Sequence, residues 1–189
     1  MKLKKLVLVF SALLLSASIC EAKKMCPVNI DKGEMFNDVD TGCQVALSEE
    51  NCGEGSELSL KLTFSKDAWA GEYHPKRNNW QTWKALKFNA FNSLASDVTL
   101  AFVIKDGNST GTIFNLQERK KWPMKPFILK PGMNKVELLL KDIKNQAGEP
   151  SGLEKMQQWF FSYKFFPGFD WEDKGNEAVV FLSNLRLED

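Results

Sequence analysis

The sequence has little of what catalysis and metal binding usually require. It contains one histidine, His74, and four cysteines among 189 residues, and it has no nucleophile motif of the Gly-x-Ser-x-Gly type. A histidine-based triad would have to use His74, and the cysteine spacing does not match a zinc site. Acidic side chains such as Glu72 are present, but no two of them form an evident opposed pair for glycoside hydrolysis. We therefore expect no enzyme, no cofactor and no thiol-based metal centre.

Long apolar runs and an excess of one charge are also missing. The longest apolar run, residues 6–15, falls well short of the roughly 20 residues that a membrane-spanning helix needs. Lysine and arginine number 25 against 24 acidic residues, so the chain has no basic field for nucleic acid. We expect no nucleic-acid partner and no permanent membrane helix.

The first 22 residues have the composition of a signal peptide. Three lysines within the first five residues precede the apolar run, and small residues follow it. Ordinary cleavage after Ala22 is one interpretation, with Cys20 and Ala22 as the small residues before the cut. Lipidation of Cys20 is the other, although Ile19 is bulky for the position before a lipidated cysteine. The chain is thus expected to be exported, either periplasmic or secreted, or else anchored to the envelope through Cys20.

The remaining residues suit a polar leader at 23–33 and one domain at 34–189, without internal repeats. Three cysteines stay in that part of the chain. Cys43 and Cys52 bracket a short segment with a turn, so we predict a disulfide between them. Cys26 is then expected to be free within the leader.

Alternating apolar and polar residues dominate the domain and predict strands rather than helices. Only the connection at 142–158 suggests a helical turn. On the last strand, Phe181, Ser183, Leu185 and Leu187 share one parity. Because each strand offers one apolar face, the pattern predicts an all-β fold of two antiparallel sheets. The predicted strands are 58–64, 83–92, 98–105, 112–117, 125–130, 135–140, 159–166 and 178–187.

Three stretches resemble the galactose-binding-like jelly rolls of non-catalytic carbohydrate-binding modules and of complex I intermediate-associated proteins. They are the Asn79–Phe88 stretch with its two tryptophans, the Pro131-Gly132-Met133-Asn134 turn, and the closing Asn184-Leu185-Arg186-Leu187. The resemblance implies a jelly-roll β-sandwich that binds a polysaccharide or another glycan. Such modules often hold calcium, but the matching positions here are Asn37 and Ser183 instead of acids, so calcium binding is not expected.

Aromatic side chains in predicted loops are the candidates for contact with a sugar ring. Trp80, Trp83 and Trp159 match packing positions and are assigned to the core. The candidate binding residues are Trp69, Tyr73, His74, Arg77, Trp122 and Trp171. A hydrophobic plug at the edge of the sandwich is the alternative role for these loop aromatics.

The strand at 159–166 is apolar on both faces, which requires that it be central or covered. The 142–158 connection could roof it. If it were open instead, it would favour a cell-envelope scaffold or adhesion domain that contacts an envelope protein.

Overall fold

The computed structural model describes residues 23–65, 67–109, 121–164 and 177–189. The predicted signal peptide with Cys20, the predicted strand at 112–117 and Trp171 lie outside these residues. The described strands are β1 Lys24–Met25, β2 Asp38–Val39, β3 Cys43–Ser48, β4 Ser59–Ser65, β5 Ala68–Tyr73, β6 Ala85–Asn92, β7 Val98–Lys105, β8 Met124–Leu129, β9 Gly132–Leu139, β10 Gln158–Tyr163 and β11 Glu177–Glu188.

These strands form two antiparallel sheets. The first sheet has the order β3-β4-β11-β6-β9, with β1 also paired to β11. The second sheet has the order β2-β5-β10-β7-β8. The all-β sandwich predicted from the sequence is confirmed.

The space between the sheets is filled largely by aromatic rings. Trp80 and Trp159 are fully buried there, and Trp80 stacks on Phe102 with ring centroids 6.2 Å apart. Phe161 contacts Phe102 at 5.3 Å. The core assignment of Trp80 and Trp159 is confirmed, whereas Trp83 is only partly buried against this core. Rings of this size contribute much of the buried apolar area that stabilises a sandwich.

A bulge in β11 changes which side chains face the core. Ser183 pairs with Asn89, but Arg186 pairs with Lys87, so β11 holds one extra residue between them. Asn184 takes that position with a φ of 52°, a left-handed conformation that asparagine tolerates better than most residues. The single parity predicted for Phe181 to Leu187 is therefore wrong. Leu185 and Leu187 join the core, while Phe181 and Ser183 face outward.

Residues 23–33 belong to the sandwich, so the predicted polar leader is wrong. β1 pairs with the end of β11, and a 3₁₀ helix follows at Ile30–Lys32. Val28 and Ile30 are each only 3% exposed and sit in the main core. Asp31 also accepts the backbone N–H groups of Glu57 and Leu58. The segment thus packs as an integral part of the domain.

The predicted disulfide between Cys43 and Cys52 does not form, and Cys26 is also a free thiol. Cys43 begins β3, whereas Cys52 lies beyond its far end, with Sγ near the carbonyl oxygens of Ser48 and Glu57. Five extended residues cover about 16 Å, and a disulfide requires Cα atoms within about 7 Å. The strand itself keeps the two thiols apart.

The connection at 142–158, all of whose residues are described, contains no α-helix. Its first residue, Asp142, ends a 3₁₀ turn at Leu140–Asp142. Ile143 and Met156 from this connection pack into the core between the sheets and do not roof the outer face of β10. All six β10 residues are nevertheless buried. The open apolar patch considered for this strand is absent from its described residues.

In the described part of the chain, no helix has the length and apolar character needed to cross a bilayer.

Candidate functional site

Tyr73 and His74 form an exposed aromatic surface at the end of β5. Tyr73 is 50% exposed, and no other phenylalanine, tyrosine or tryptophan among the described residues is exposed to that degree. The centroid of its ring lies 4.0 Å from that of His74, with the planes inclined at 47°. His74 leaves the strand with a φ of 49°, which turns the chain immediately after Tyr73. The structure therefore leaves two of the residues predicted from the sequence exposed side by side.

Asn37 holds this end of β5 in place. Its side-chain Oδ1 accepts the backbone N–H of Tyr73 at 2.7 Å, and its Nδ2 donates to the carbonyl of Tyr73 at 3.2 Å. The same Nδ2 and the backbone N–H of Asn37 each donate to the carboxylate of Glu72 at 3.1 Å. The side chain of Asn37 thus forms the two backbone hydrogen bonds with Tyr73 that a residue of a neighbouring strand would form.

The calcium positions inferred from the resemblance do not meet. Asn37 contacts the second sheet, whereas Ser183 lies on β11 of the first sheet, where its Oγ accepts the N–H of Gly53 at 2.8 Å. No group of three or more His, Cys, Asp or Glu side chains among the described residues is arranged to hold a metal ion. The two positions inferred from the family pattern thus contact different sheets of the sandwich.

Glu72 points to the inner side of the second sheet and is 8% exposed. Burial raises the pKa of its carboxyl, and the hydrogen bond from the Asn37 backbone opposes this shift in part. Because the carboxylate is committed to Asn37 and faces the core, it is poorly placed to act on a ligand. Its role is structural: it accepts hydrogen bonds from Asn37, the residue that holds the backbone of Tyr73.

A row of polar side chains continues from Tyr73 across the outer face of the second sheet. Gln158 is directly opposite Tyr73 in the strand register, and Lys105 is opposite Gln158. Strands lie about 4.8 Å apart, so the row spans roughly 10 Å. The side-chain amide of Gln158 donates to Asp38, which fixes the orientation of both groups. Gln158 is only 5% exposed, so it positions Asp38, and the groups beside the exposed ring that can bind the hydroxyls of a sugar are the Asp38 carboxylate and the Lys105 ammonium.

Trp69 and Trp122 are not surface platforms, contrary to the prediction. They are 4% and 0% exposed and belong to a second apolar cluster on the outer face of the second sheet. Their rings lie 6.3 and 6.4 Å from that of Phe160. Both rings are buried, as the hydrophobic-plug interpretation requires, but they lie on the face of the sheet and not at the edge of the sandwich. Lys105 connects the cluster to the polar row, since its Nζ lies 5.3 Å from the ring centroid of Trp122.

Arg77 is exposed, but its guanidinium is engaged elsewhere. It donates to the carbonyl of Cys26 and so ties the loop after β5 to the N-terminal segment. The carbonyl of Arg77 accepts the indole N–H of the buried Trp80 at 2.8 Å. These contacts give Arg77 a structural role.

A polar cleft of about 760 Å³ opens beyond the same end of the second sheet. Asp106, which directly follows Lys105, lies at its base and is 3% exposed. Its carboxylate accepts the backbone N–H groups of Asn108, Ser109 and Gly152 at 3.0, 2.8 and 2.5 Å. The rest of the lining is Asn108, Ser109, Lys121, Pro123, Asn145, Gln146, Ala147, Glu149 and Pro150.

Sequence reasoning missed Asp38, Gln158, Lys105 and this cleft. Only the recognition of β5 as a strand could have predicted this row. The strand reads Ala68-Trp69-Ala70-Gly71-Glu72-Tyr73, and its inward residues are small or charged, so its alternation is weak. Without β5 as a strand, Gln158 and Lys105 cannot be aligned with Tyr73.

Comparison with known proteins agrees with this architecture. No protein-family model and no curated protein matches the sequence. A family 11 carbohydrate-binding module from a cellulosomal cellulase of Clostridium thermocellum superposes with a TM-score of 0.52 and 12% identity, covering 88% of this chain and 93% of that one. A second structure of a Clostridium thermocellum family 11 module, in complex with a β-1,3-1,4-mixed-linked tetrasaccharide, has a TM-score of 0.50 and 9% identity, with 91% of each chain covered.

An agarase gives a TM-score of 0.58 at 11% identity over 88% of this chain. The chain spans only about a quarter, 24%, of the agarase. These similarities establish that the protein has the jelly-roll fold found in carbohydrate-binding modules.

Proposed function

We propose that the protein is an exported, non-catalytic module that binds a polysaccharide at the end of its second sheet. The observation that carries the proposal is the Tyr73–His74 surface, an exposed pair of rings in line with Gln158 and Lys105. The jelly-roll fold supports it, because proteins of the same fold include modules named for carbohydrate binding. Export is part of this proposal, and the composition of residues 1–22 supports it.

Binding without catalysis fits the chemistry of the site. The polar row contains one carboxylate, Asp38, and that group accepts a hydrogen bond from Gln158. The buried Glu72 faces the other side of the sheet. Hydrolysis of a glycosidic bond needs two carboxyl groups on opposite sides of the bond, and the described residues of this face do not provide them.

Stacking of one sugar face on Tyr73 sets the scale of the affinity. Burial of roughly 60–80 Å² of apolar surface contributes about 1.5–2 kcal/mol. That amount corresponds to a roughly ten- to thirtyfold change in the dissociation constant. A weak interaction with a repeating polymer is therefore the expected mode.

Affinity electrophoresis in gels containing mixed-linkage β-glucan, agarose or other polysaccharides tests this proposal. A retarded wild-type protein, with retardation lost in Tyr73→Ala and kept in Tyr73→Phe, is the expected result. His74→Asn tests the second ring, since asparagine tolerates the left-handed backbone at that position. Met133→Ala is the matched control, because Met133 is 46% exposed on the first sheet. Equal retardation of Tyr73→Ala and Met133→Ala would exclude the Tyr73 site.

The alternative of an envelope scaffold or adhesion domain, with an envelope protein as partner, depended on an open phenylalanine-rich strand. Since all residues of β10 are buried, that observation no longer favours it.

A further inference from the structure

A second, more apolar pocket of about 400 Å³ lies on the other side of the 145–153 connection from the polar cleft. Trp83, Leu139, Leu140 and Leu153 form its apolar lining, and Pro150 lines both this pocket and the cleft. Trp83 is only partly buried against the core, so part of its indole faces the pocket. A pocket of this size with an aromatic wall suits a small cyclic ligand.

Lys84 and Lys141 are the only charged side chains that line this pocket among the residues that the structure describes. The backbone N–H of Leu140 donates to the carbonyl of Lys84 at 2.9 Å, which sets Lys84 close to Lys141. Neither ammonium group has an ion pair among the described residues, and both side chains are exposed. The charge of this mouth therefore favours an anion.

The nearest glutamate of β11 does not neutralise these lysines. The backbone N–H of Lys84 donates to the carbonyl of Glu188 at 2.9 Å, but the carboxylate of Glu188 is held by Arg186 at 2.5 Å and Lys87 at 3.0 Å. These partners, Arg186 first, lower the pKa of Glu188, so it stays ionised and paired.

One exposed polar side chain completes the accessible lining. The amide of Gln81 lies at the edge of the pocket and donates to the carboxylate of Glu154 at 3.4 Å, which leaves its remaining donor and acceptor capacity for a hydroxyl. The Oγ of Ser151 is buried and does not take part. An aromatic wall, two cations and this amide match a ring that carries both hydroxyls and a carboxylate.

We propose that the Trp83 pocket binds a carboxylate-bearing sugar unit, with Lys84 and Lys141 contacting the carboxylate, so that the preferred polymer is an acidic polysaccharide. This inference rests on the proposed function, because the acidic unit would belong to the polysaccharide that the module binds. The polar cleft, with Lys121 in its lining, adjoins the pocket at Pro150 and provides a continuous surface for the polymer.

The test compares polygalacturonate, glucuronan and alginate, each with its methyl ester, in equilibrium binding at low and high salt. Esterification removes the charge and keeps the backbone. We expect at least one acidic form to bind about fivefold more tightly than its ester at low salt, with the preference shrinking at about 1 M salt. The variant Lys84→Gln/Lys141→Gln should lose this preference. The control Lys24→Gln/Lys32→Gln removes the same charge from exposed positions on the N-terminal segment and should keep it.

Trp83→Ala should weaken binding of the acid form, and Trp83→Phe should restore much of it, which separates stacking from a folding defect. Binding of neutral glucan or agarose, without any preference for acids over esters, would overturn this inference and leave the proposed function standing. An acidic preference that survives in Lys84→Gln/Lys141→Gln would also overturn it. Failure to bind any of the polymers, neutral or acidic, would overturn the proposed function together with it.

Discussion

At the scale of single residues, Tyr73 and Cys43 show how the position of a side chain on its strand decides whether a ligand or reagent can reach it. Tyr73 is the last residue of β5 and points outward beyond the apolar cluster, so half of its surface meets solvent. Cys43 begins β3 but points inward, where it is 6% exposed. Side chains alternate between the faces of a strand. A thiol on the inward face is shielded from reagents by burial alone, without a disulfide.

Cys43 should resist alkylation while the protein is folded. Burial, with a smaller contribution from the charge of Asp40, raises the pKa of Cys43 to about 12, so almost no thiolate exists at neutral pH. Iodoacetamide treatment at about pH 8 followed by mass mapping should label Cys26 and Cys52 and leave Cys43 unlabelled. In denaturant without reductant all three should be labelled. If Cys43 and Cys52 stayed unlabelled there, the predicted disulfide between them would exist after all.

Glu72 should make stability depend on pH. Because its pKa is raised in the folded state, the fold holds this proton more tightly than the unfolded chain does. The stabilisation is fully present below the ordinary glutamate pKa of about 4.3 and is lost as pH rises through the raised value.

The measurement compares urea unfolding of wild type and Glu72→Gln between about pH 4 and pH 8. The wild-type free energy of unfolding, minus that of the variant, should fall with rising pH and then level off. The neighbouring charges of Glu34, Asp38 and Lys76 are present in both proteins, so their own titration largely cancels. A difference that stays flat or rises with pH contradicts the assignment.

At the scale of elements, the contact of β5 with β10 determines whether the site exists. This pairing aligns Tyr73 with Gln158, and it brings the backbone of Phe160 against Gly71. A Cβ at Gly71 would lie 2.1 Å from the carbonyl oxygen of Trp159 and 2.4 Å from the Cα of Phe160. Glycine in a strand interior often marks such an approach of two backbones.

Gly71→Ala should therefore destabilise the fold by about 3 kcal/mol, at the upper end of the cost of overpacking a core. Thermal and urea unfolding measure the loss. Gly107→Ala is the matched control, since a Cβ there would come no closer than 3.4 Å to its neighbours, the nearest being the carbonyl oxygen of Lys155. Similar unfolding of the two variants would show that β5 and β10 are farther apart than described.

At the scale of the whole molecule, the N-terminal segment joins the two sheets. It pairs with β11 of the first sheet through β1, places Val28 and Ile30 in the core, and reaches the second sheet through Asn37 and β2. Asn37, which follows it, holds the backbone of Tyr73 through two hydrogen bonds. The binding surface and the core thus depend on the same short stretch of chain.

A protein that starts at residue 34 should be less stable than one that starts at residue 23, by about 3–6 kcal/mol. The estimate counts the burial of Val28 and Ile30 at roughly 1.5–3 kcal/mol each. Urea unfolding of both forms measures it, and Val28→Ala/Ile30→Ala in the longer form checks that the core contact is responsible. Equal free energies of unfolding would show that residues 23–33 do not stabilise the domain and are a leader.

The sequence by itself determined the period-two pattern, and with it the strands that carry strong apolar alternation, the sandwich architecture, and the core positions of Trp80 and Trp159. It also named Tyr73 and His74 as candidate binding residues, because aromatic residues beside turn formers can be recognised locally.

Only the tertiary structure decided the rest. β5 has alanine, glycine and glutamate where apolar residues would mark a strand, so its pairing was needed to reveal it and to place Trp69 under cover. The bulge at Asn184 reversed the facing of Leu185 and Leu187, and β3 separated Cys43 from Cys52. Alternation is a local property that shows a strand has two faces, whereas the choice of buried face depends on neighbours that are distant in sequence.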